Sequence, residues 1–221
     1  PKAVGIVARA PNEWVVGGAT EVVVPTKTGA KKVYLIHLMD VATRWSLVCV
    51  VERKGVKACD SAKAFSEWIF HFGSAPKNVL LDNGREFIGS DTAEYLAGYG
   101  SRIWWTPPYN SPSAGLIERH HATLKEIFRK LAEASKEPLR RGILTLEDVG
   151  RVAAAAKNAQ VRRHGYSSHW LAHGANPIFD NWAEATNAQI EGTCISEVAE
   201  SRLMLRKKAT ASLNGKRCRE V

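Results

Sequence analysis

The chain has 221 residues, 45% of them hydrophobic, and carries a formal net charge of +9. This length is enough to bury a substantial core, as one domain with an extension or as two small domains. No apolar run approaches the roughly 18–20 residues of a membrane-spanning helix, which argues against a membrane partner. The four cysteines stand apart, so neither a zinc finger nor a disulfide framework is indicated, and a reducing compartment is favoured.

The excess of positive charge favours a polyanionic partner, because clustered Lys and Arg side chains neutralise phosphates and release counterions. The same excess is compatible with an ordinary soluble protein, so charge alone does not decide the partner. Because the chain starts at Pro1 and not at a methionine, we expect it to be a segment of a longer protein.

The first third of the chain predicts three antiparallel strands and a helix. Apolar and β-branched residues fill 13–24, 33–39 and 45–51, and a turn separates each stretch from the next. Apolar residues at intervals of three and four predict a helix over 58–72, which Gly73 brings to an end.

The middle of the chain predicts alternating strands and helices. Residues 78–81 form a short apolar strand that ends at Asp82, and residues 101–105 form another. A loop rich in Pro, Ser and Gly over 107–115 leads into a helix over 116–134. This order of elements resembles the ribonuclease-H-like fold, an α/β fold with a mixed five-stranded sheet flanked by helices, which holds ligands at strand ends and helix starts.

The C-terminal part predicts helices with a basic end. One helix is predicted over 146–163 and another over 186–221. We therefore divide the chain into a core, 1–165, and a basic helical C-terminal extension, 166–221. The basic residues of the extension include Arg202, Arg206, Lys207, Lys208, Lys216, Arg217 and Arg219.

Two carboxylates stand inside longer motifs. One motif reads Asp82-Asn83-Gly84-x-x-Phe87 and follows the apolar strand. The other reads Pro108-Tyr109-Asn110-x-x-x-x-Gly115-x-x-Glu118 and opens the long helix, with 35 residues between Asp82 and Glu118. Together these motifs resemble the catalytic core of retroviral and Ty3/gypsy-type retrotransposon integrases, and the resemblance covers roughly residues 12–180.

The resemblance implies a polynucleotidyl transferase that processes 3′ ends and transfers strands during DNA integration. Enzymes of this kind hold divalent ions, Mg²⁺ or Mn²⁺, with two aspartates and a glutamate, because carboxylates suit hard cations. Asp82 and Glu118 are the implied catalytic residues and metal ligands. The resemblance also implies that the protein binds DNA, forms a homo-oligomer and acts in the nucleus.

Four residues are predicted to contact DNA. Taking about 100° per residue, Glu118, Lys125 and Arg129 lie close together on the polar side of the long helix. In the family a lysine at the position of Lys125 contacts the DNA end. Tyr109 and Asn110 would lie on a loop beside the scissile phosphate, and Arg119 nearby. A solvated amphipathic face is the alternative explanation of the same charges.

The sequence leaves open which residue supplies the third carboxylate. Asp40 ends a strand, but the string Asp40-Val41-Ala42-Thr43-Arg44 fits a later, non-catalytic part of the family pattern. In that register Ala19 stands where the first catalytic aspartate is expected, so strand transfer would be impaired. Glu21 is a further candidate on the same face of the strand. The alternative function is an inactive, retroelement-derived domain that binds nucleic acid or acts as a scaffold; a nuclease of the same fold is a third.

Overall fold

The computed structural model describes residues 6–26, 29–82, 87, 90–106, 112–161, 165–175, 201, 204–206 and 208–209. The strands are β1 Trp14–Thr26, β2 Gly29–Asp40, β3 Ser46–Val51, β4 Asn78–Leu81 and β5 Arg102–Trp105. The helices of the described part are α1 Ala58–Phe72, α2 Ser90–Gly98, α3 Pro112–Ala134, α4 Lys136–Arg140, α5 Leu146–Ala159 and α6 Ser168–His173.

The five strands form one mixed sheet in the order β3-β2-β1-β4-β5. The first three strands pair antiparallel, and β4 and β5 add parallel to β1 on its other side. Parallel pairs need crossover connections, and here α1 and α2 supply them. The predicted five-stranded α/β fold is therefore confirmed, with β1 at the centre of the sheet.

The two faces of the sheet are covered by different helices. On one face α1 contributes Phe65 and Trp68 to a buried cluster with Val15 of β1. On the other face α3 and α5 cover Val22 and its neighbours, with Leu124 of α3 in the same cluster. Because side chains alternate along a strand, odd-numbered residues of β1 face α1 and even-numbered residues face α3.

The long helix α3 buries the apolar side that its periodicity predicted. Ile117, Leu124, Ile127, Phe128 and Leu131 are each at most 9% exposed. The helix begins at Pro112, four residues before the predicted start, because proline is well accommodated in the first turn, where its missing N–H costs no hydrogen bond. No helix in the described part of the chain is long and apolar enough to cross a bilayer.

The hairpin of β1 and β2 is longer than predicted. The turn was predicted over 25–32, yet Thr26 still pairs with Gly29 and the ladder continues from there. Cross-strand pairing extends the ladder: Lys32 contacts Glu21 on the neighbouring strand at 3.0 Å. Paired polar side chains can continue a ladder past the point where the apolar pattern ends.

Part of the predicted C-terminal extension packs against the core. Leu205 and Ala209 are buried in the cluster formed by α3 and α5. Lys208 donates a hydrogen bond to the carbonyl of Ala134, which closes α3. Leu205 and Ala209 therefore complete the core on the α3 side, whereas His173 of α6 packs against Trp45 and Phe72 on the α1 side.

Candidate active site

Asp82 lies at the carboxyl end of β4, next to the central strand. The last ladder pair of the two parallel strands joins Gly17 to Leu81, so Asp82 comes to lie beside Gly18. A Cβ atom built on Gly18 would be 3.5 Å from Oδ2 of Asp82. The half-buried carboxylate thus lies over Gly18, on the face of the sheet that α3 covers.

The second wall of this site is α3. The Cβ position on Gly18 would be 3.1 Å from Cε1 and 3.5 Å from Nε2 of His121. One turn earlier, Ile117 packs with Val16 and Leu80. The helix therefore runs along β1, and its residue 121 meets the end of β4 over Gly18.

Glu118 is exposed and lies one turn before His121. At about 100° per residue, Glu118 and Lys125 share one flank of α3, and Arg119 and His120 lie on the opposite flank. Burial lowers the pKa of Arg44, the nearby charge of Asp40 opposes this shift, and the charge of Arg119 adds to it. Glu118 and Lys125 therefore share one side of α3, next to the position of His121.

Asp40 does not reach this site. It is fully buried, its Oδ1 accepts a hydrogen bond from the Asn12 backbone at 2.9 Å, and its Oδ2 accepts two from Thr43 at 2.7 Å. Asp40 pairs with Val15, three residues before Gly18 and so about 10 Å along the sheet, on the side of β1 away from β4. The carboxylate of Asp40 holds the turn between β2 and β3 by these hydrogen bonds. This corrects the prediction that Asp40 could be a metal ligand.

Ala19, the residue at the position where the resemblance expects the first aspartate, does not face Asp82. Ala19 packs on the α1 face of the sheet, in the cluster that contains Phe65, so its side chain points away from Asp82. Glu21 lies on that same face and contacts Lys32 at 3.0 Å. The residue of β1 that faces Asp82 is Gly18, which has no side chain to offer.

A buried polar network, which the sequence did not indicate, lies behind His121. The ring of His37 lies 5.1 Å from the ring of His121, and its Nε2 is 2.8 Å from Oγ of Ser46. Lys157 donates to the same hydroxyl at 2.6 Å and to the Arg44 carbonyl at 3.3 Å. These residues stand alone in otherwise apolar or mixed stretches, so no local pattern marked them.

Both imidazoles of this network are held neutral. Burial, followed by the charges of Lys157, His121 and His120, lowers the pKa of His37 well below its usual value. Burial, followed by the charges of Lys125 and Lys157, lowers the pKa of His121 to about 4. The site therefore presents a neutral ring beside the carboxylate of Asp82 at physiological pH.

The other predicted site residues are placed as follows. Tyr109 and Asn110 lie outside the described residues, as do Asn83 and Lys207. Arg119 is exposed and donates to the Gly115 carbonyl at 3.2 Å, one turn back along α3. The structure thus brings Asp82 and α3 together at His121, and helix periodicity puts Glu118 and Lys125 on a side of α3 that Arg119 does not share.

A separate group of potential metal ligands lies at the far side of the sheet. Within the described residues, one set of three has its ligand atoms within 4.8 Å of one another, namely Cys49, Glu67 and Glu147. Arg151 contacts both carboxylates of this set, at 3.6 and 3.3 Å. The single guanidinium bridges the two acids and offsets part of their negative charge, which gives the group a structural explanation.

Comparison with known proteins supports this fold. Residues 8–111 match the family model described as integrase core domain. A stretch of 111 residues, half of the chain, is 29% identical to the Gag-Pro-Pol polyprotein of human T-cell leukemia virus 2 and spans 8% of that polyprotein.

Solved structures of integrases share the architecture at low sequence identity. The simian T-cell lymphotropic virus intasome in complex with the PP2A regulatory subunit B56 gamma is 20% identical, with a TM-score of 0.64, over 80% of this chain and 59% of that one. The HTLV-2 integrase catalytic core in complex with magnesium, in its trimeric form, is 21% identical, with a TM-score of 0.59, over 76% of this chain and all of that one. The fold is therefore the ribonuclease-H-like fold of integrase cores.

Proposed function

We propose that this chain, whose residues 8–111 carry an integrase core domain, is an integrase-type polynucleotidyl transferase domain that acts in DNA integration. The supporting observation is the meeting of Asp82 with α3 over Gly18, one helical turn from Glu118. DNA is the proposed substrate, 3′ end processing and strand transfer the proposed reactions, and a nuclear homo-oligomer the proposed working form.

Two of the three positions that would hold a divalent cation carry suitable donor atoms. Asp82 and Glu118 offer oxygen atoms, which Mg²⁺ and Mn²⁺ prefer. The third position, on β1, is Gly18 and offers no ligand atom. When bound, divalent ions supply the charge that stabilises the attacking and leaving oxygens of a phosphodiester.

The remaining contribution of the chain is electrostatic and positional. Lys125 lies half-buried on α3, one turn after His121, so its ammonium can neutralise a phosphate held near Asp82. The absence of a carboxylate at Gly18 removes one of the charges that hold the cation. We therefore expect strand transfer to be slow compared with that of a site with three carboxylates.

A joining assay tests the function directly. Blunt duplexes with randomised ends are incubated with a supercoiled plasmid and the protein in Mg²⁺ or in Mn²⁺, and joined products are sequenced. Joining that is lost in Asp82→Asn and Glu118→Gln supports the proposal. Glu126→Gln is the matched control, because Glu126 lies on the same helix and pairs with Lys130 at 2.9 Å. Joining that survives in Asp82→Asn contradicts the proposal.

The second candidate is a domain that binds nucleic acid without catalysis. The absence of a side chain at Gly18, with the His121 ring in the space beside it, favours this candidate. It predicts binding of DNA by fluorescence anisotropy together with no joining in either metal. A nuclease of the same fold would instead cleave the plasmid without joining.

A further inference from the structure

We propose that His121 is a metal ligand, so that the site combines an imidazole nitrogen with carboxylate oxygens and prefers Co²⁺, Mn²⁺ or Zn²⁺ to Mg²⁺. The inference rests on the proposed site at Asp82 and concerns which ion that site takes. It turns on three features of the structure around Gly18.

The first feature is the position of the ring. Nε2 of His121 and Oδ2 of Asp82 both lie 3.5 Å from the same point, the Cβ position of Gly18. The two atoms thus approach one point from two different elements, α3 and the end of β4. The inferred ion would lie near this point and take the nitrogen and the oxygen as two of its ligands.

The second feature is the state of Nε2 itself. This atom is buried, and within the described part of the chain it has no hydrogen-bond partner. Leaving a buried polar atom without a partner costs about 1–3 kcal/mol, so such atoms in folded proteins generally have a ligand, a water or a functional reason. A cation beside Nε2 of His121 would give this atom a partner and would take Asp82 as a second ligand.

The third feature is the glycine. A Cβ atom at residue 18 would be 3.1 Å from Cε1 of His121, which is closer than ordinary contact. Any side chain on β1 at this position would displace the ring. Gly18 therefore admits the imidazole into the space that a ligand from β1 would otherwise fill, and the nitrogen of α3 replaces an oxygen of the strand.

The surroundings hold the ring in place. His37 packs against it at 5.1 Å, and Ser46 and Lys157 fix His37 in turn. The ring of His121 is therefore confined between Gly18 of β1 and His37 of β2. Imidazole suits the later transition metals, whereas Mg²⁺ prefers oxygen, so the replacement shifts the preference of the site.

The test measures metal binding and not catalysis. The whole chain is titrated with CoCl₂ by visible absorption, and with MnCl₂ and MgCl₂ by calorimetry, in the wild type, His121→Gln and His120→Gln. His120 is the matched control, because it is adjacent in sequence but lies on the other flank of α3. We expect His121→Gln to lower Co²⁺ affinity by about tenfold or more, with little change for Mg²⁺, and His120→Gln to behave as wild type.

Other histidines require a second control. His169 and His173 lie 4.7 Å apart by ring centroids and can collect Co²⁺ on their own. The titrations are therefore repeated in a background with both changed to Gln. If His121→Gln does not fold, His121→Asp serves instead, and it should raise the preference for Mg²⁺ over Co²⁺.

The outcomes separate this inference from the proposed function. Unchanged Co²⁺ affinity in His121→Gln, with binding lost in Asp82→Asn, overturns the imidazole ligand and leaves the carboxylate site standing. Unchanged Co²⁺ affinity in both His121→Gln and Asp82→Asn overturns the imidazole ligand and the carboxylate site together. Equal losses of Co²⁺ and Mg²⁺ in His121→Gln also overturn the inference, because they indicate a structural role for the ring.

Discussion

Gly18 and Asp82 lie side by side at the carboxyl ends of two parallel strands, with Oδ2 of Asp82 3.5 Å from the Cβ position of Gly18. Ala19, the next residue, faces the opposite side of the sheet. Since side chains alternate along a strand, one residue of register decides whether a carboxylate on β1 can join Asp82. This relationship leads to the first prediction.

Gly18→Asp in a His121→Ala background should strengthen Mg²⁺ binding, on the order of tenfold, because it adds a carboxylate beside Asp82 and removes the ring that would block it. Ala19→Asp should give no gain. It puts a charge among the apolar residues near Phe65 and should cost about 2–4 kcal/mol of unfolding free energy. Calorimetry and urea denaturation measure the two effects. A gain of Mg²⁺ affinity in Ala19→Asp would favour residue 19 as the first ligand position.

The direction in which each side chain of β1 points was hard to predict for a physical reason. Val15 and Val16 are both buried, because β1 is the central strand and helices cover both faces of the sheet. A strand buried on both sides loses the alternation of apolar and polar residues that shows which way each side chain points. Asp82 and Glu118 could be singled out as candidates from the sequence because each stands in a longer motif.

The histidines illustrate what a local pattern leaves out. His37 lies within a nearly continuous apolar strand, and His121 follows His120 on the helix, so neither spacing nor periodicity marks them. Their importance comes from the packing of α3 across β1, which joins residues more than 80 positions apart. Only the tertiary fold brings His121 to Gly18 and His37 to His121.

Asp40→Asn should destabilise the fold without affecting metal binding. Two of the hydrogen bonds that Asp40 accepts converge on Oδ2, and an amide nitrogen at that place would confront the two donors of Thr43. The expected loss is about 3 kcal/mol of unfolding free energy. Glu133→Gln is a suitable control, because Glu133 is exposed and pairs only at the surface with Lys136. Loss of Mg²⁺ affinity in a folded Asp40→Asn protein would contradict this assignment.

Lys125→Ala should weaken binding to duplex DNA regardless of sequence. If Lys125 neutralises one phosphate, its removal should reduce the slope of log affinity against log salt by about one. Lys130→Ala is the control, because Lys130 projects from the outer side of α3 and pairs with Glu126 at 2.9 Å. Fluorescence anisotropy at several salt concentrations measures the slopes. Equal slopes in the two variants would remove Lys125 from the DNA interface.

The stability of the protein should fall as the pH is lowered from 7.5 to 5. His37 is fully buried and its pKa lies well below the usual value, through burial and then the charges of Lys157, His121 and His120. The unfolded chain takes up a proton below about pH 6.5, whereas folded His37 stays neutral. The contribution of His37 to the free energy of unfolding is therefore complete above that pH. It is lost on acidification, by up to about 1.4 kcal/mol per pH unit. Urea denaturation in EDTA should show a shallower slope in His37→Gln, and an unchanged slope would contradict the prediction.

Gly150→Ala should destabilise the fold, although alanine usually favours a helix over glycine by about 1 kcal/mol. Gly150 lies where α5 crosses β3, and a Cβ atom there would be 2.6 Å from Cγ2 of Val50, a stiff β-branched side chain. We expect a loss of about 1–3 kcal/mol. Gly115→Ala in α3, where no described atom lies within 4 Å, should instead stabilise the fold. Both glycines lie in helices, so helix propensity should favour alanine at each. A loss of unfolding free energy in Gly150→Ala and a gain in Gly115→Ala, measured by urea denaturation, would therefore show the effect of the packing of α5 on the sheet. Equal signs would mean that the α5 contact relaxes freely.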